Sequence, residues 1–412
     1  MCTGYFLFSA VFQNLGMLKL FKEFLMIIIL TSILFRMKID KVNLIDISII
    51  SFLVMVGLSY MFFTENKVST LYIIRCYIEP FIIYFIAKNT KWNIESFNNF
   101  IIKIFNFTFW LSLYGMFQAH ILKDVFLMNI GYPTFNGKLT NPFYLSGFGR
   151  FQRVVSTFVN PNMFAFFLGV IILIAYCNKS LFNNIKMKYL KFSVVIVALL
   201  LTFSRSNLIP FVICLIFYGL YNSKHFGLNI KKILMSLLIF MIVTSILKYN
   251  FDIDIINYFI KLTQRTISLE DTSAAGRPII WRSAFNRFKD NIFGIGLGKT
   301  GSKSVYIGNE MLEPAESSYL TLLLDTGIQG FICYIFIFVS IMYSCFKNMN
   351  KANNIVLRDM NLSLIYLTLY IFIALAFSNY VLDFEIMSVY YCIVAIINKI
   401  QKNSKNLAVI HE

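Results

Sequence analysis

The sequence predicts an all-α protein that crosses a membrane many times. Hydrophobic residues make up 58% of the chain and charged residues only 14%, whereas charged residues are about a quarter of an ordinary soluble domain. The apolar runs are long enough for membrane helices and too long for the strands of a barrel. The net charge is +17, but most lysines stand in short loops between apolar runs, which indicates membrane topology and not nucleic-acid binding.

The apolar runs define about twelve candidate spans in a single integral membrane domain, residues 1–412. No basic residue precedes the first run and no small-residue cleavage site follows it, which predicts a membrane helix and no removable signal peptide. The seven cysteines lack the spacing of a zinc site or a disulfide framework, so they are interpreted as packing residues. The spans are roughly 5–18, 21–35, 45–63, 68–87, 97–119, 158–177, 189–204, 206–221, 230–247, 317–345, 361–380 and 384–400.

The short loops orient these spans. Loop lysines such as Lys88, Lys91 and Lys347 accumulate on one side, which is therefore predicted to be cytoplasmic. An even number of helices then puts both termini in the cytoplasm. Two long loops, about 120–157 and 248–316, lie on the outer face of the cytoplasmic (inner) membrane.

The second long loop contains one predicted helix. Pro278 suits the first position of a helix, and Ile280, Ala284 and Phe288 form one apolar stripe. Such a helix is expected to lie at the outer boundary between membrane and water. The glycines between 294 and 301 are expected to end it and to form a flexible return.

Most arginines, unlike the lysines, fall on the predicted exterior side. A guanidinium binds phosphate oxygens bidentately and stays charged when partly desolvated, so these arginines predict an anion site at the level of the lipid headgroups. The alternative is that they pair with loop carboxylates or with anionic headgroups. The exterior arginines are Arg150, Arg153, Arg205, Arg265, Arg277, Arg282 and Arg287.

One further charged pair lies inside a predicted span. Arg75 and Glu79 are four residues apart and share a helix face, so they can form an ion pair. Charged residues within a membrane are functional candidates, and a purely structural pair is the equal alternative.

Four stretches of the chain resemble, in order, motifs of the O-antigen ligase/polymerase superfamily. Residues 153–165 are similar to its R-x-x-G-T-F-x-N-P-N entry into a membrane helix, and residues 201–206 to its T-x-S-R helix end. Residues 276–281, with the glycines that follow, resemble a glycine–arginine segment of its large external loop. Residues 317–330 resemble its re-entry helix. The resemblance covers about 150–332.

This family joins glycans that are carried on undecaprenyl pyrophosphate at the outer face of the membrane. The resemblance implies that Arg205 and Arg277 engage the pyrophosphate of the donor. No cofactor is expected, because the only histidines, His120, His225 and His411, form no cluster with acidic residues. The other expected substrate-binding residues are Arg150, Arg153, Arg282, Arg287, Asn160 and Asp325.

Glu316 stands where the ligases usually carry a histidine. This difference favours a Wzy-type polymerase of O-antigen, capsule or exopolysaccharide units over a ligase that attaches glycan to lipid A-core. In the predicted reaction a sugar hydroxyl attacks the anomeric carbon of a growing chain and undecaprenyl pyrophosphate leaves, stabilised by arginine. Glu316 is either the base for that hydroxyl or a cap of the following helix. Asp325, deeper on that helix, is expected to orient an arginine.

The rival function is that of a lipid-linked oligosaccharide flippase or another transporter. Transporters tend to bind substrate near the middle of the membrane, between broken helices of related halves, whereas the polar residues here gather in external loops. The expected partners are lipid-linked glycans, membrane lipid, and a chain-length regulator and flippase of the same pathway. Nucleic acid is not expected.

Overall fold

The structure is a computed structural model that describes residues 42–65, 67–129, 132, 134–135, 138–139, 143–144, 151–226, 261, 264, 272–300, 316–350 and 354–410. Over these residues the chain is helical, apart from one antiparallel pair of two-residue strands. The elements are α1 (Leu44–Phe63), α2 (Lys67–Asn89), α3 (Ile94–Phe117), a π-helical segment (Gln118–Leu122), α4 (Lys123–Asn129), β1 (Thr134–Phe135), β2 (Lys138–Leu139), α5 (Pro161–Cys177), α6 (Lys179–Asn184), α7 (Lys188–Leu201), α8 (Arg205–Phe226), α9 (Thr272–Asp290), α10 (Ser318–Asn350), α11 (Ile355–Phe377) and α12 (Phe384–Ile410).

The predicted spans that fall on described residues all coincide with helices. Three others, 5–18, 21–35 and 230–247, lie outside the described residues. Six helical stretches of the described chain are long and apolar enough to cross a membrane: α1, residues 70–89 of α2, residues 94–129, α10, α11 and residues 384–404 of α12. The prediction of a helical membrane protein is therefore confirmed, and the number of twelve spans stays a prediction.

The chain folds as two compact units. The first comprises the described residues between 95 and 271, and the second those between 42 and 94 and between 272 and 410. In the first unit nearly every residue of α5 is buried, and α5 packs against α7 and α8. In the second unit α12 packs against α2, and α10 packs against α1 and α11.

The first long loop begins later than predicted. The helix does not end near residue 120, because the π-helical segment continues α3 directly into α4, which reaches Asn129. Leu127 of α4 is fully buried against Tyr132, Leu139 and Phe143. Burial of these apolar side chains stabilises a short helix that its polar residues alone would not hold.

The helix of the second long loop is present, but it does not begin at Pro278. It begins at Thr272, and Pro278 lies inside it. An internal proline removes one backbone hydrogen bond, which makes it an unusual interior residue. Ala274 and Ala275 precede it and are the strongest helix formers, so the helix extends to the N-terminal side of the proline.

The apolar stripe of α9 faces protein. Ala284 is fully buried in a cluster with Ile295 and Leu324, and Phe288 packs against the same cluster. The stripe that was expected to rest on the membrane boundary thus holds α9 against α10. Ile279, on another face, is 72% exposed, and whether that face touches lipid stays a prediction.

The intramembrane pair forms as predicted. Arg75 Nε lies 3.2 Å from Glu79 Oε2, and the Glu79 side chain is 5% exposed. The guanidinium also lies over the ring of Phe384, 4.9 Å from its centroid. A cation against an aromatic face gains further stabilisation when both are shielded from water.

Candidate active site

Two of the motif stretches meet in the first unit. Arg153 donates from Nε to the carbonyl of Thr202 at 2.6 Å and from Nη2 to Asn162 Oδ1 at 2.7 Å. The backbone N–H of Val154 donates to the carbonyl of Leu201 at 3.1 Å. The last carbonyls of a helix have no partner within it, and those of α7 obtain theirs from Arg153 and Val154. The stretch 153–165 therefore caps the helix that ends at the stretch 201–206.

Asn160 has a structural task in this arrangement. Its Oδ1 accepts a hydrogen bond from the N–H of Met163 at 2.9 Å, and Pro161 follows it as the first residue of α5. This is the usual chemistry of a helix N-terminus. Its predicted role in substrate binding is untested, and its side-chain oxygen is already engaged.

The structure explains one position of the first motif. Ser156 stands where the family pattern has glycine, and its φ is 57°, in the left-handed region that favours glycine. Its hydroxyl donates to the carbonyl of Leu111 at 2.9 Å. A Cβ on Gly115 would lie 3.0 Å from the Ser156 Cβ, so α3 and this segment approach each other closely.

Arg205, one of the two predicted pyrophosphate ligands, is the first residue of α8 and is half-buried. It follows a tight turn in which Phe203 has a φ of 48°. Asn207 Nδ2 donates to Ser204 Oγ at 2.8 Å and to the carbonyl of Asn162 at 3.0 Å, which fixes the turn on α5. Arg150 lies outside the described residues, as does Arg265.

The second unit contains the other predicted ligand. Arg277 Nε lies 3.0 Å from Glu316 Oε2, and the two side chains are 24% and 45% exposed. The pair joins α9 to a residue that lies two positions before the start of α10. Glu316 accepts a hydrogen bond from this guanidinium, and its two predicted roles, as base and as cap of α10, stay predictions.

The three arginines of α9 lie on different faces of the helix. A helix turns by about 100° per residue, so Arg277 shares a face with Trp281 and the buried Ala284. Arg282 lies about 140° away and Arg287 about 80° away on the opposite side, and both are exposed. Arg277 alone of the three lies on the face that packs against α10.

The glycine segment after α9 is packed, and the expected flexible return is not observed. Ile295 N–H donates to the carbonyl of Leu324 at 2.7 Å, and Ile328 N–H donates to the carbonyl of Ile292 at 3.0 Å. A Cβ on Gly296 would lie 2.1 Å from the carbonyl oxygen of Phe63. Gly327 has a φ of 71° at a kink inside α10. The glycines permit backbone to pack directly on backbone.

The far end of the segment is tied to the loop after α1. Leu297 N–H donates to Thr64 Oγ1 at 3.1 Å, and Lys299 Nζ lies 2.6 Å from Glu65 Oε1. The ammonium of Lys299, through its hydrogen bond and its charge, holds the pKa of Glu65 below its ordinary value. Because Glu65 is exposed, this ion pair contributes little to stability.

Asp325 is buried at the kink and was expected to orient an arginine. Instead its carboxylate accepts hydrogen bonds from the hydroxyls of Tyr77 at 2.8 Å and Thr300 at 2.7 Å. Its own carbonyl accepts from the hydroxyl of Ser59. One residue thus connects α1, α2, α10 and the end of the glycine segment.

The predicted clasp of Arg205 and Arg277 around one diphosphate is not tested, because Arg205 belongs to the first unit and Arg277 to the second. Over the described ranges, no three His, Cys, Asp or Glu side chains converge where a metal ion could bind.

Comparison with known families covers much of this site. Residues 190–335 match a family described as O-antigen ligase. This match supports the resemblance of the four motif stretches to the O-antigen ligase/polymerase superfamily. The match extends through α9 and the kink of α10. It includes Arg205, Arg277, Glu316 and Asp325. No curated protein matches the chain.

Proposed function

We propose that the protein is a polymerase that joins oligosaccharide repeat units carried on undecaprenyl pyrophosphate, at the outer face of the cytoplasmic membrane. The observation that carries the proposal is the Arg277–Glu316 pair. It lies inside the O-antigen ligase match and is partly open to solvent. A guanidinium beside a carboxylate supplies an anion-binding group and a proton acceptor at one point.

In the proposed reaction Arg277 leaves Glu316 and binds the pyrophosphate of the donor. The freed carboxylate takes the proton of the acceptor hydroxyl while that oxygen bonds to the anomeric carbon. The bond from that carbon to the pyrophosphate oxygen breaks, and undecaprenyl pyrophosphate departs with the electron pair. Arg277 stabilises the developing charge, and binding both glycans side by side supplies positioning.

The proposal includes the predicted topology of about twelve helices with both termini in the cytoplasm. It includes no metal or other cofactor. A chain-length regulator and a flippase of the same pathway are the proposed protein partners.

A ligase is the second candidate, because the matched family is described as O-antigen ligase. The two functions differ in the acceptor. A ligase transfers finished glycan to lipid A-core, whereas a polymerase transfers it to another lipid-linked repeat unit. Glu316, in the position where ligases usually carry histidine, favours the polymerase.

The test is a reconstitution in lipid nanodiscs. Purified protein is mixed with lipid-linked repeat units, without nucleotide and with chelator, and the glycans are separated by gel electrophoresis. A polymerase yields a ladder of repeat units, and Arg277→Ala yields none. A product that forms only when lipid A-core is added would replace the polymerase by the ligase, and no product with either acceptor would overturn both.

A further inference from the structure

The corner of the second unit around Arg277 and Glu316 contains two polar groups that the proposed reaction does not use. The first is the indole of Trp281, one helical turn after Arg277 on the same face of α9. Its ring lies against Phe377, with 6.5 Å between ring centroids. Its Nε1 is buried and has no hydrogen-bond partner among the described residues. A buried tryptophan N–H usually has one.

The second group is the side chain of Asn379, in the turn between α11 and α12. Its Oδ1 is likewise buried without a partner in the described part of the chain. The turn itself is well fixed. Ser318 Oγ donates to the carbonyl of Ser378 at 2.8 Å and accepts from the N–H of Val381 at 3.1 Å.

Three contacts bring these groups to one corner. Arg277 of α9 binds Glu316, two residues before the start of α10. Ser318, two residues later, binds Ser378, the neighbour of Asn379. Trp281 packs against Phe377 at the end of α11. These contacts link the residues that carry the unpaired donor and the unpaired acceptor to those of the ion pair, within the same unit.

A buried polar group without a partner costs roughly 1–3 kcal/mol, so a bound substrate that supplied the missing partners would recover that energy. The ligand must accept from an indole N–H and donate to an amide oxygen. An ionised phosphate only accepts, and therefore cannot pair with the oxygen Oδ1 of Asn379. A sugar hydroxyl both donates and accepts, and the aromatic rings of Trp281 and Phe377 offer an apolar surface of the kind that orients ligands in binding sites.

We propose that Trp281 and Asn379 bind hydroxyl groups of the acceptor sugar and hold it beside Glu316. This inference rests on the proposed function in taking the substrate to be a glycan and Glu316 to be the base for its acceptor hydroxyl. Both are substrate-binding residues, and the proton transfer stays with Glu316.

The test compares two variants that delete one polar group each. Trp281→Phe keeps an aromatic ring and removes the N–H, and Asn379→Leu keeps the shape and removes the amide. Each should raise the Kd for a synthetic, carrier-free repeat-unit oligosaccharide about 5-fold, the effect of one lost hydrogen bond. KM for the lipid-linked unit should rise similarly with kcat nearly unchanged. Thermal stability should stay equal or increase, because an unpaired buried group is removed.

Trp92→Phe is the matched control. Trp92 Nε1 already donates to the carbonyl of Ala87 at 3.1 Å and to Thr90 Oγ1 at 2.6 Å. Because Trp92→Phe removes these two hydrogen bonds, it should lower the thermal midpoint and leave glycan affinity unchanged. Trp281→Phe should therefore weaken glycan binding without loss of stability, and Trp92→Phe should lower stability without loss of binding. This difference separates a binding role from a packing role.

The outcomes separate this inference from the proposed function. Unchanged Kd and KM in both variants, with an active parent protein, would overturn the sugar site and leave the polymerase standing. A parent that binds the oligosaccharide but extends no chain would overturn the polymerase, while weaker binding by both variants would still support the sugar site.

Discussion

A motif arginine of the first unit and a motif arginine of the second unit are held in different ways. In the first unit Arg153 donates to a backbone carbonyl and to a neutral amide, and so completes the end of α7. In the second unit Arg277 binds a carboxylate that is nearly half exposed. The first guanidinium is fixed by the fold, whereas the second can exchange its carboxylate for another anion at small cost, because partly exposed ion pairs are weak.

The contrast shows that a motif arginine is not by itself a substrate ligand. The hydrogen-bond partner of the arginine determines its role. A buried neutral acceptor holds the guanidinium in place, whereas an accessible anion can be exchanged for an incoming phosphate. Arg153 should therefore matter mainly for stability and Arg277 mainly for activity.

The largest effect is expected for Arg277→Ala. Removal of a charge-stabilising group should lower the rate of chain extension by about 100-fold or more, because the leaving pyrophosphate loses its cation. The rate is measured from the repeat-unit ladder in nanodiscs, and the amount of folded protein in the membrane serves as control. Formation of long polymer at the parental rate would contradict the assignment of Arg277 to the substrate.

The next largest effect is expected for Gly296→Ala, which should lower the stability of the protein. The added Cβ would meet the Phe63 carbonyl oxygen at 2.1 Å, at a φ of 93° that disfavours alanine. Crowding and backbone strain together should cost about 3–5 kcal/mol, which is measured as a lower thermal midpoint in detergent. Because this segment docks α9, activity should fall with it.

Gly57→Ala is the control for that change. Nothing lies within 4 Å of a Cβ at Gly57, and the residue is inside α1. Alanine there should stabilise the protein by roughly 0.5–1 kcal/mol. Equal destabilisation by both glycine variants would contradict the close-packing explanation.

Arg153→Ala should destabilise the first unit by about 2–4 kcal/mol, since two hydrogen bonds from a charged donor are lost. Arg153→Lys keeps the charge but not the forked geometry, and should recover only part of the stability. The readout is the thermal midpoint, compared with the specific activity of the protein that remains folded. A variant with parental stability and no activity would assign Arg153 to the substrate.

The smallest effect is expected for Arg282→Ala. Arg282 is exposed and lies about 140° around α9 from Arg277. Chain extension should fall at most about threefold, in line with the weak, screened interactions of exposed charges. A loss as large as that of Arg277→Ala would show that the pyrophosphate is bound on a different face of the helix.

The sequence was sufficient for the positions of the helices and for one ion pair. Long apolar runs stop where polar residues begin, which locates α1 to within one residue of its predicted span 45–63. Arg75 and Glu79 were predictable because a helix brings residues four apart together. The Arg277–Glu316 contact joins residues far apart in the chain, so sequence could nominate both and could not pair them.

Other features depend on packing that local patterns do not report. The glycines after α9 read as a flexible return, but their function is to let backbone approach backbone at the kink of α10. Trp281 lies beside the apolar stripe of α9, and what distinguishes it is that its buried Nε1 has no partner among the described residues. No sequence pattern singles out Asn379. What distinguishes it is that its Oδ1 is buried without a hydrogen-bond partner in the described part of the chain.

The buried Asp325 also sets how the second unit comes apart. Its carboxylate and carbonyl bind groups from three other chain segments, in a region where water cannot replace the lost bonds. None of these segments can detach alone without leaving a polar group unpaired. Their amide hydrogens should therefore exchange together and last, so that this junction unfolds as one cooperative block after the ends of the helices have frayed.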